Sequence, residues 1–376
     1  MLGRGIAGGS VDGGEYVSSL LRKEVLTMAT YEDTIEKVKK LLVNNQEWKN
    51  RYAGYIDDII LSYKSEIIKI ARKKFNVPSQ FTLHMSVSKA TDVTKNIVKF
   101  DLRYHGHNVA CLKVNVNKET VEIEAVKNND IISAINKDAI FDEDKLEGKS
   151  NWNEASELRT IYAKLEESIQ NSKAQLTKNK EHELESELLK NFSKKSSDGK
   201  IICNIKPVTM LKESLFFQMP TPLKASNAKS GIIEYSAEKG GGIDILARIG
   251  SGRNTHLAII ELKDKYEKNE PPEKAICQAI AYATFIRELL RSKESGEKWW
   301  SFFGFGGDVP KSLKLFAIIA MPNSKNANKN FVYNHDCDGI NLSLDGKDKL
   351  ELGYIYLENA DLPQEISKNL PLKSNS

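Results

Sequence analysis

The sequence predicts an α+β N-terminal domain, with two helices on an antiparallel meander, followed by an α/β domain with a central mixed sheet. Three observations predict it. The hydrophobic period changes from about 3.6 residues to 2 just after Pro78. A polar, heavily charged stretch divides the chain at 151–180. Beyond it, strand-like apolar runs alternate with helix-like ones. A length of 376 residues suits two domains.

Residues 1–28 are rich in Gly and Ser, lack sustained periodicity and read as a mobile leader, with Met28 as a candidate second start. Thr34, Ile35, Val38, Leu41 and Leu42 have helical spacing. A second helical stripe runs from Tyr52 through Tyr55, Ile56, Ile59, Ile60, Tyr63, Ile67 and Ile68 to Ala71, and ends before Pro78. Four alternating segments follow, at Phe81–Ser88, Asn96–Tyr104, Val109–Val116 and Thr120–Val126, with hairpin connections at Gly106 and at Asn117–Lys118. The second half offers strands at Ile201–Ile205, Leu215–Gln218, Ile243–Ile249 and Leu257–Leu262, a helix at Pro272–Lys293, a buried strand at Leu313–Met321, and a hairpin of Ile340–Leu344 with Leu350–Leu357 around Asp345–Gly346. The predicted partition is a leader at 1–28, an N-terminal α+β accessory domain at 29–150, a connecting helix at 151–180, an α/β domain at 181–362 and a C-terminal tail at 363–376.

Composition narrows the function classes. Lys plus Arg, 55, against Asp plus Glu, 51, leave a net charge of +4, too small to mark a nucleic-acid binder without a local basic face. The hydrophobic fraction of 40% excludes wholesale disorder. Cys111, Cys203, Cys277 and Cys337 are too scattered for a disulfide framework or a Cys-x-x-Cys zinc site, which suits a reducing compartment. Apolar runs stop at about seven residues, such as Leu315–Met321, against roughly 20 for a membrane span. A cytoplasmic protein without a membrane segment is the expectation.

The chemistry-bearing stretch is Gly240-Gly-Gly-Ile-Asp244, then His256-Leu-Ala-Ile-Ile-Glu261-Leu-Lys263. Asp244 opens one strand and Glu261 closes the next, 261 − 244 = 17 residues later, room for a turn at Gly250–Asn254 and a return strand. Both carboxylates then emerge at the same end of the sheet. Glu261 and Lys263, two apart, share a strand face. Two convergent carboxylates favour a hard cation such as Mg²⁺, with Mn²⁺ as a substitute, and the neighbouring lysine suits an activated water or a phosphate. Acidic-x-Lys triplets are common here (Glu47–Lys49, Glu143–Lys145, Glu147–Lys149, Asp198–Lys200, Asp345–Lys347), but only Glu261–Lys263 closes an apolar strand at hairpin distance from an Asp. The bland alternative is a solvated salt bridge at a sheet edge. Gln278 and Tyr282, at i and i+4, share a face of the following helix that reads as half exposed, while Ile276, Ala279, Ile280, Ala283 and Ile286 face the sheet.

Asp244, Glu261-Leu262-Lys263 and Gln278-Ala-Ile-Ala-Tyr282 resemble the motifs of the PD-(D/E)XK nuclease superfamily, the restriction-endonuclease-like fold, with the Gln-x-x-x-Tyr element of its RecB-like members. That fold's core is a helix, three strands, a helix and a strand, the order read here from about 176 to 322. The chain departs from the pattern in having Ile243, not proline, before Asp244. The resemblance implies that Asp244 and Glu261 ligate metal, with the Leu262 carbonyl as a further ligand. It implies that Lys263 serves the attacking water and the scissile phosphate, and that Gln278 and Tyr282 position the nucleic acid or the lysine. An acidic residue on the first core helix often completes such sites. Glu185, on a face with Leu188, Leu189 and Phe192, is the candidate, and Glu181 and Glu187 are its rivals.

Other residues carry weaker signals. His105-Gly-His107 reads as a polar turn, and His335-Asp-Cys337-Asp338 lacks a second ligand cluster. Gly240–Gly242 lacks the following helix and Gly-Lys-Ser/Thr of a P-loop, and reads as a place where backbone or DNA approaches closely. The aromatic run Trp299–Phe305 reads as core. Lys64, Lys69, Arg72, Lys73 and Lys74 offer a phosphate-facing end or ordinary solubilising charge. The resulting expectation is a Mg²⁺-dependent deoxyribonuclease acting in restriction, anti-phage defence or repair, with DNA as partner and a homodimer as one assembly. Its N-terminal domain would bind DNA, a regulatory ligand or a partner protein. The alternative is a non-catalytic DNA-binding or assembly protein on the same scaffold.

Overall fold

The computed structural model describes residues 30–57, 81–86, 97–104, 107–115, 117–118, 120–125, 149–151, 180–193, 204–208, 215–225, 232–238, 240–263, 272–322 and 339–357. The described chain is a mixed α/β structure with two six-stranded sheets. Helix α1 (30–44) buries Tyr31, Ile35, Val38 and Leu42, a single stripe at helical spacing. Helix α2 (Glu47–Gly54) buries Trp48 and Tyr52. The remainder of the predicted second helix, its basic residues Lys64 to Lys74 and its end before Pro78 lie outside the described residues.

The meander forms as expected. Strands β1 (Phe81–Ser86), β2 (Ile97–Tyr104), β3 (His107–Asn115) and β4 (Thr120–Ala125) pair antiparallel in sequence order, and β5 (Lys149–Asn151) adds to β4. Leu83, Met85, Val98, Phe100, Leu102 and Val114 are buried in the larger apolar core, as period-two patterning requires. The connecting helix predicted at 151–180 lies almost wholly outside the described residues.

Helix α3 (Lys180–Ser193) precedes the central sheet, whose strands are β6 (Ile205–Pro207), β10 (Ile245–Ile249), β11 (His256–Leu262), β12 (Lys314–Pro322), β13 (Asn341–Asp345) and β14 (Asp348–Leu357). Their spatial order is β13-β14-β12-β11-β10-β6. β11, β12 and β14 run parallel, while β10 and β6 are antiparallel to their neighbours. Buried on both faces, β11 and β12 read as continuous apolar runs. One face (Ala258, Ile260, Leu262, Phe316, Ile318, Ala320) packs with Leu188, Leu189 and Phe192 of α3. The other (Leu257, Ile259, Leu315, Ala317, Ile319) meets α4 (Pro272–Leu290). No described helix is long and apolar enough to cross a membrane.

One strand changes sheets. β7 (Leu215–Phe217) pairs parallel to β1 and extends the N-terminal sheet, with Leu83 opposite Leu215 and Met85 opposite Phe217. Its local pattern is apolar either way, so sequence periodicity names a strand without naming its sheet. Two short strands, β8 (Leu223–Lys224) and β9 (Glu234–Tyr235), form a small ribbon of their own.

The N-terminal helices cover α4 from outside. Trp48 and Tyr52 meet Phe285 edge-on, with ring centroids 5.7 and 5.0 Å apart, contacts worth about 0.5–1.5 kcal/mol each beyond burial. Trp299 of α5 (Gly296–Phe302) donates from Nε1 to the Tyr52 carbonyl at 3.2 Å, and Trp299, Trp300, Phe302 and Phe303 are core residues as read from sequence. Helix α4 is thus enclosed on nearly every side.

Candidate functional site

The site begins with register. Ile245 of β10 pairs with Ile260 of β11. One step beyond the last paired residues, Asp244 and Glu261 stand at the same sheet end, and the charges of both act on the Tyr282 hydroxyl. The Leu262 N–H donates to Asp244 Oδ2 at 2.9 Å, which pins the aspartate to the end of β11. By alternation Glu261 shares the face of Leu257 and Ile259, toward α4, and it is fully buried.

Lys263 lies on that face just beyond β11. Its backbone N–H donates to the Ala320 carbonyl at 3.0 Å, and its Nζ donates to Gln278 Oε1 at 3.5 Å. Gln278 and Tyr282 are 7% and 1% exposed, so the half-exposed helix face expected from sequence is in fact covered. The segments that reach them are Lys263, at the end of β11, against Gln278, and Ala225 and Gly241 against Tyr282, none of which helical periodicity within α4 encodes. The Tyr282 hydroxyl hydrogen-bonds with the Gln278 side chain and the Ala225 backbone. Burial pushes its pKa up, and the negative charges of Glu261 and Asp244 push it further. Tyr282 therefore stays protonated, a hydrogen-bonding group and not a base.

The glycine run is tightly enclosed by the chain itself. Thr221 N–H donates to the Gly241 carbonyl (2.8 Å), Gly241 N–H to the Leu223 carbonyl (2.7 Å) and Ile243 N–H to the Met219 carbonyl (3.0 Å). A Cβ on Gly240 would lie 2.1 Å from the Thr221 carbonyl oxygen, and one on Gly241 would lie 2.2 Å from the Tyr282 hydroxyl. The close approach read from the sequence belongs to the segment 219–223 and to Tyr282. Gly241→Ala should destabilise the fold by about 1–3 kcal/mol through overpacking. Adding Tyr282→Phe, which removes the clashing oxygen, should recover a large part of it. Thermal unfolding of the single and double variants checks this, and additive losses would refute the contact.

Glu185 of α3 is 1% exposed. Arg103 Nη1 of β2 donates to both its carboxylate oxygens at 3.1 and 3.0 Å, and Arg103 Nη2 donates to Gln218 Oε1 at 2.7 Å. Sequence reasoning missed Arg103 and Gln218. Arg103 sits on the polar side of an alternating strand among ordinary charges, and only its burial distinguishes it. The side chains of the rivals Glu181 and Glu187, and those of His105, His107 and the residues 335–338, lie outside what is described.

Among the described residues, no group of three or more His, Cys, Asp or Glu side chains forms a metal cluster. A Mg²⁺ ion is typically held by one or two carboxylates plus water and substrate phosphates. Asp244 and Glu261, gathered at one sheet end, fit that requirement, with Lys263 just beyond Glu261. No family model, curated protein or solved structure matches the chain.

Proposed function

We propose that the protein is a Mg²⁺-dependent nuclease that hydrolyses phosphodiester bonds of DNA, on the plan of the PD-(D/E)XK superfamily. The observation that carries this reading is the gathering of Asp244 and Glu261 at one sheet end, both acting on Tyr282, with Lys263 just beyond Glu261 and tied to Gln278. The order of the elements of the central sheet supports it: with β7–β9 and α5 set aside as lying outside that sheet, α3, β6, β10, β11, α4 and β12 give a helix, three strands, a helix and a strand, and the four strands are neighbours in that order.

In this reading Asp244 and Glu261 hold the cation, which supplies phosphoryl polarisation and a water of lowered pKa when bound. Lys263 places a positive charge beside the scissile phosphate and orients the water. Gln278 accepts from one of its three N–H donors and so fixes where the ammonium sits. Tyr282 braces the Gly240–Gly242 segment that leads into Asp244. Water oxygen bonds to phosphorus, the bridging P–O bond breaks, and the leaving oxygen gains the proton. DNA as substrate follows from the superfamily resemblance.

A second reading is a non-catalytic DNA-binding or assembly protein. The pairing of Glu185 with Arg103, which leaves two described carboxylates at the strand ends, favours it. Incubation with plasmid, linear and single-stranded DNA separates the two. Cleavage in Mg²⁺ that EDTA abolishes is the expected result. DNA binding with no cleavage in Mg²⁺ or Mn²⁺ would refute the nuclease and favour the second reading.

A further inference from the structure

We propose that Arg103 is a positioning residue of this site, and that Glu185 serves as its counter-charge and not as a metal ligand; the inference rests on the nuclease reading. The pair is almost wholly enclosed, with side chains 9% and 2% exposed. A guanidinium never releases its proton in a protein, so once buried it needs side-chain acceptors, of which a carboxylate is the most favourable. Both Glu185 oxygens accept from Arg103 Nη1, at 3.1 and 3.0 Å. A divalent cation on the same carboxylate would lie within a few ångströms of that fixed positive charge, in a medium that screens poorly.

The other arm of the guanidinium reaches toward the active strand. Arg103 Nη2 donates to Gln218 Oε1, and the Gln218 amide lies against Gly242, with Nε2 3.1 Å from where a Cβ there would stand. Next to Gln218, the Met219 carbonyl accepts from Ile243 N–H, and Pro220 bridges Gly242. Ile243 is followed by Asp244. A continuous line of contacts therefore runs from the N-terminal sheet through Arg103 and Gln218 to the segment that aims Asp244. The site is completed by a residue from the first half of the chain, which gives that half a role in the chemistry itself.

The test is a titration of Mn²⁺ into DNA-free protein, followed by calorimetry, for Glu185→Gln, the pair Arg103→Met/Glu185→Gln, and Asp244→Asn, each with thermal unfolding to confirm folding. Glu185→Gln keeps a side-chain acceptor for Arg103 and should bind Mn²⁺ within about twofold of the parent protein. The double variant removes both charges together, so no buried ion is stranded, and should lose about tenfold in affinity, the scale of a lost supporting contact. A loss of tenfold or more in Glu185→Gln would make Glu185 a ligand and overturn the inference. Unchanged affinity in the folded double variant would reduce Arg103 to a structural role and also overturn it. Asp244→Asn separates the levels: should it bind Mn²⁺ as tightly as the parent, the metal-site reading falls and this inference with it, whereas the Glu185 outcomes leave the Asp244–Glu261 pair standing.

Discussion

Glu261→Gln protein should be folded and unable to cleave DNA. Removing a supporting contact from a metal site typically costs about 10–100-fold, and removing one of the two carboxylates should exceed that. An amide of nearly the same shape fills the same buried space, and Lys263 keeps its bond to Gln278. In metal-free protein the midpoint of thermal unfolding should therefore lie close to that of the parent. The upward shift that Mg²⁺ gives the parent by binding the folded state should vanish. Asp244→Asn should likewise lose cleavage, and it also weakens the contact that Asp244 accepts from Leu262 N–H. Parent-level cleavage by Glu261→Gln, free of contaminating nuclease, would remove the basis of the proposed function.

The largest loss of stability should come from Asp348, far from that chemistry. Asp348 is 3% exposed and accepts from Arg287 Nε (2.9 Å), Arg291 Nε (2.9 Å), Arg291 Nη2 (2.5 Å) and the Leu313 N–H (2.9 Å). It joins the end of α4 to the starts of β12 and β14. Asp348→Ala leaves the Leu313 N–H without this acceptor and reduces Arg287 to Glu288 and Asp345 and Arg291 to the Pro310 carbonyl, and should cost about 3 kcal/mol. Burial alone would raise this carboxyl's pKa, but the bonds from Arg291, Leu313 and Arg287 outweigh it, and the folded value lies below the ordinary 3.8. A lowered folded pKa means that the contribution is complete above the ordinary value and is lost as pH falls through the folded one. Parent stability should therefore drop through that acid range more steeply than that of Asp348→Asn. Urea unfolding of both proteins from neutral pH down into that range measures it, and parallel curves would contradict the assignment.

Much of the site's local geometry was legible in the sequence because a strand's period is short and rigid. Asp244 and Glu261, separated by a turn at Gly250–Asn254, emerge at one sheet end in the structure, and the positive φ of Gly250 (101°) marks that turn. Glu261 and Lys263 share a face because side chains alternate. The meander of β1 to β4 and the β13–β14 hairpin were readable for the same reason.

Contacts between distant segments were not readable. Gln278 and Tyr282 looked half exposed because α4 carries no record of which distant segments will cover it; Lys263, Ala225 and Gly241 decide that. Leu215–Phe217 looked like a member of the second sheet, and its pairing with β1 depends on which strand edge is open to it.

What the sequence determined by itself is the four-stranded meander, the strands β10, β11 and β12, helix α4, the β13–β14 hairpin and the placement of Asp244, Glu261 and Lys263 at one sheet end, since these follow from backbone periodicity over a few residues. Only the tertiary structure decided what surrounds them. Arg103 reaches Glu185, 82 positions away, and Gln218, 115 away. The enclosure of Gly241 by Tyr282 likewise joins a loop to a later helix. Such pairings are selected by burial: a charge or hydroxyl taken out of water must find a partner within hydrogen-bonding reach, and the folded chain, not the local pattern, determines which partner is there.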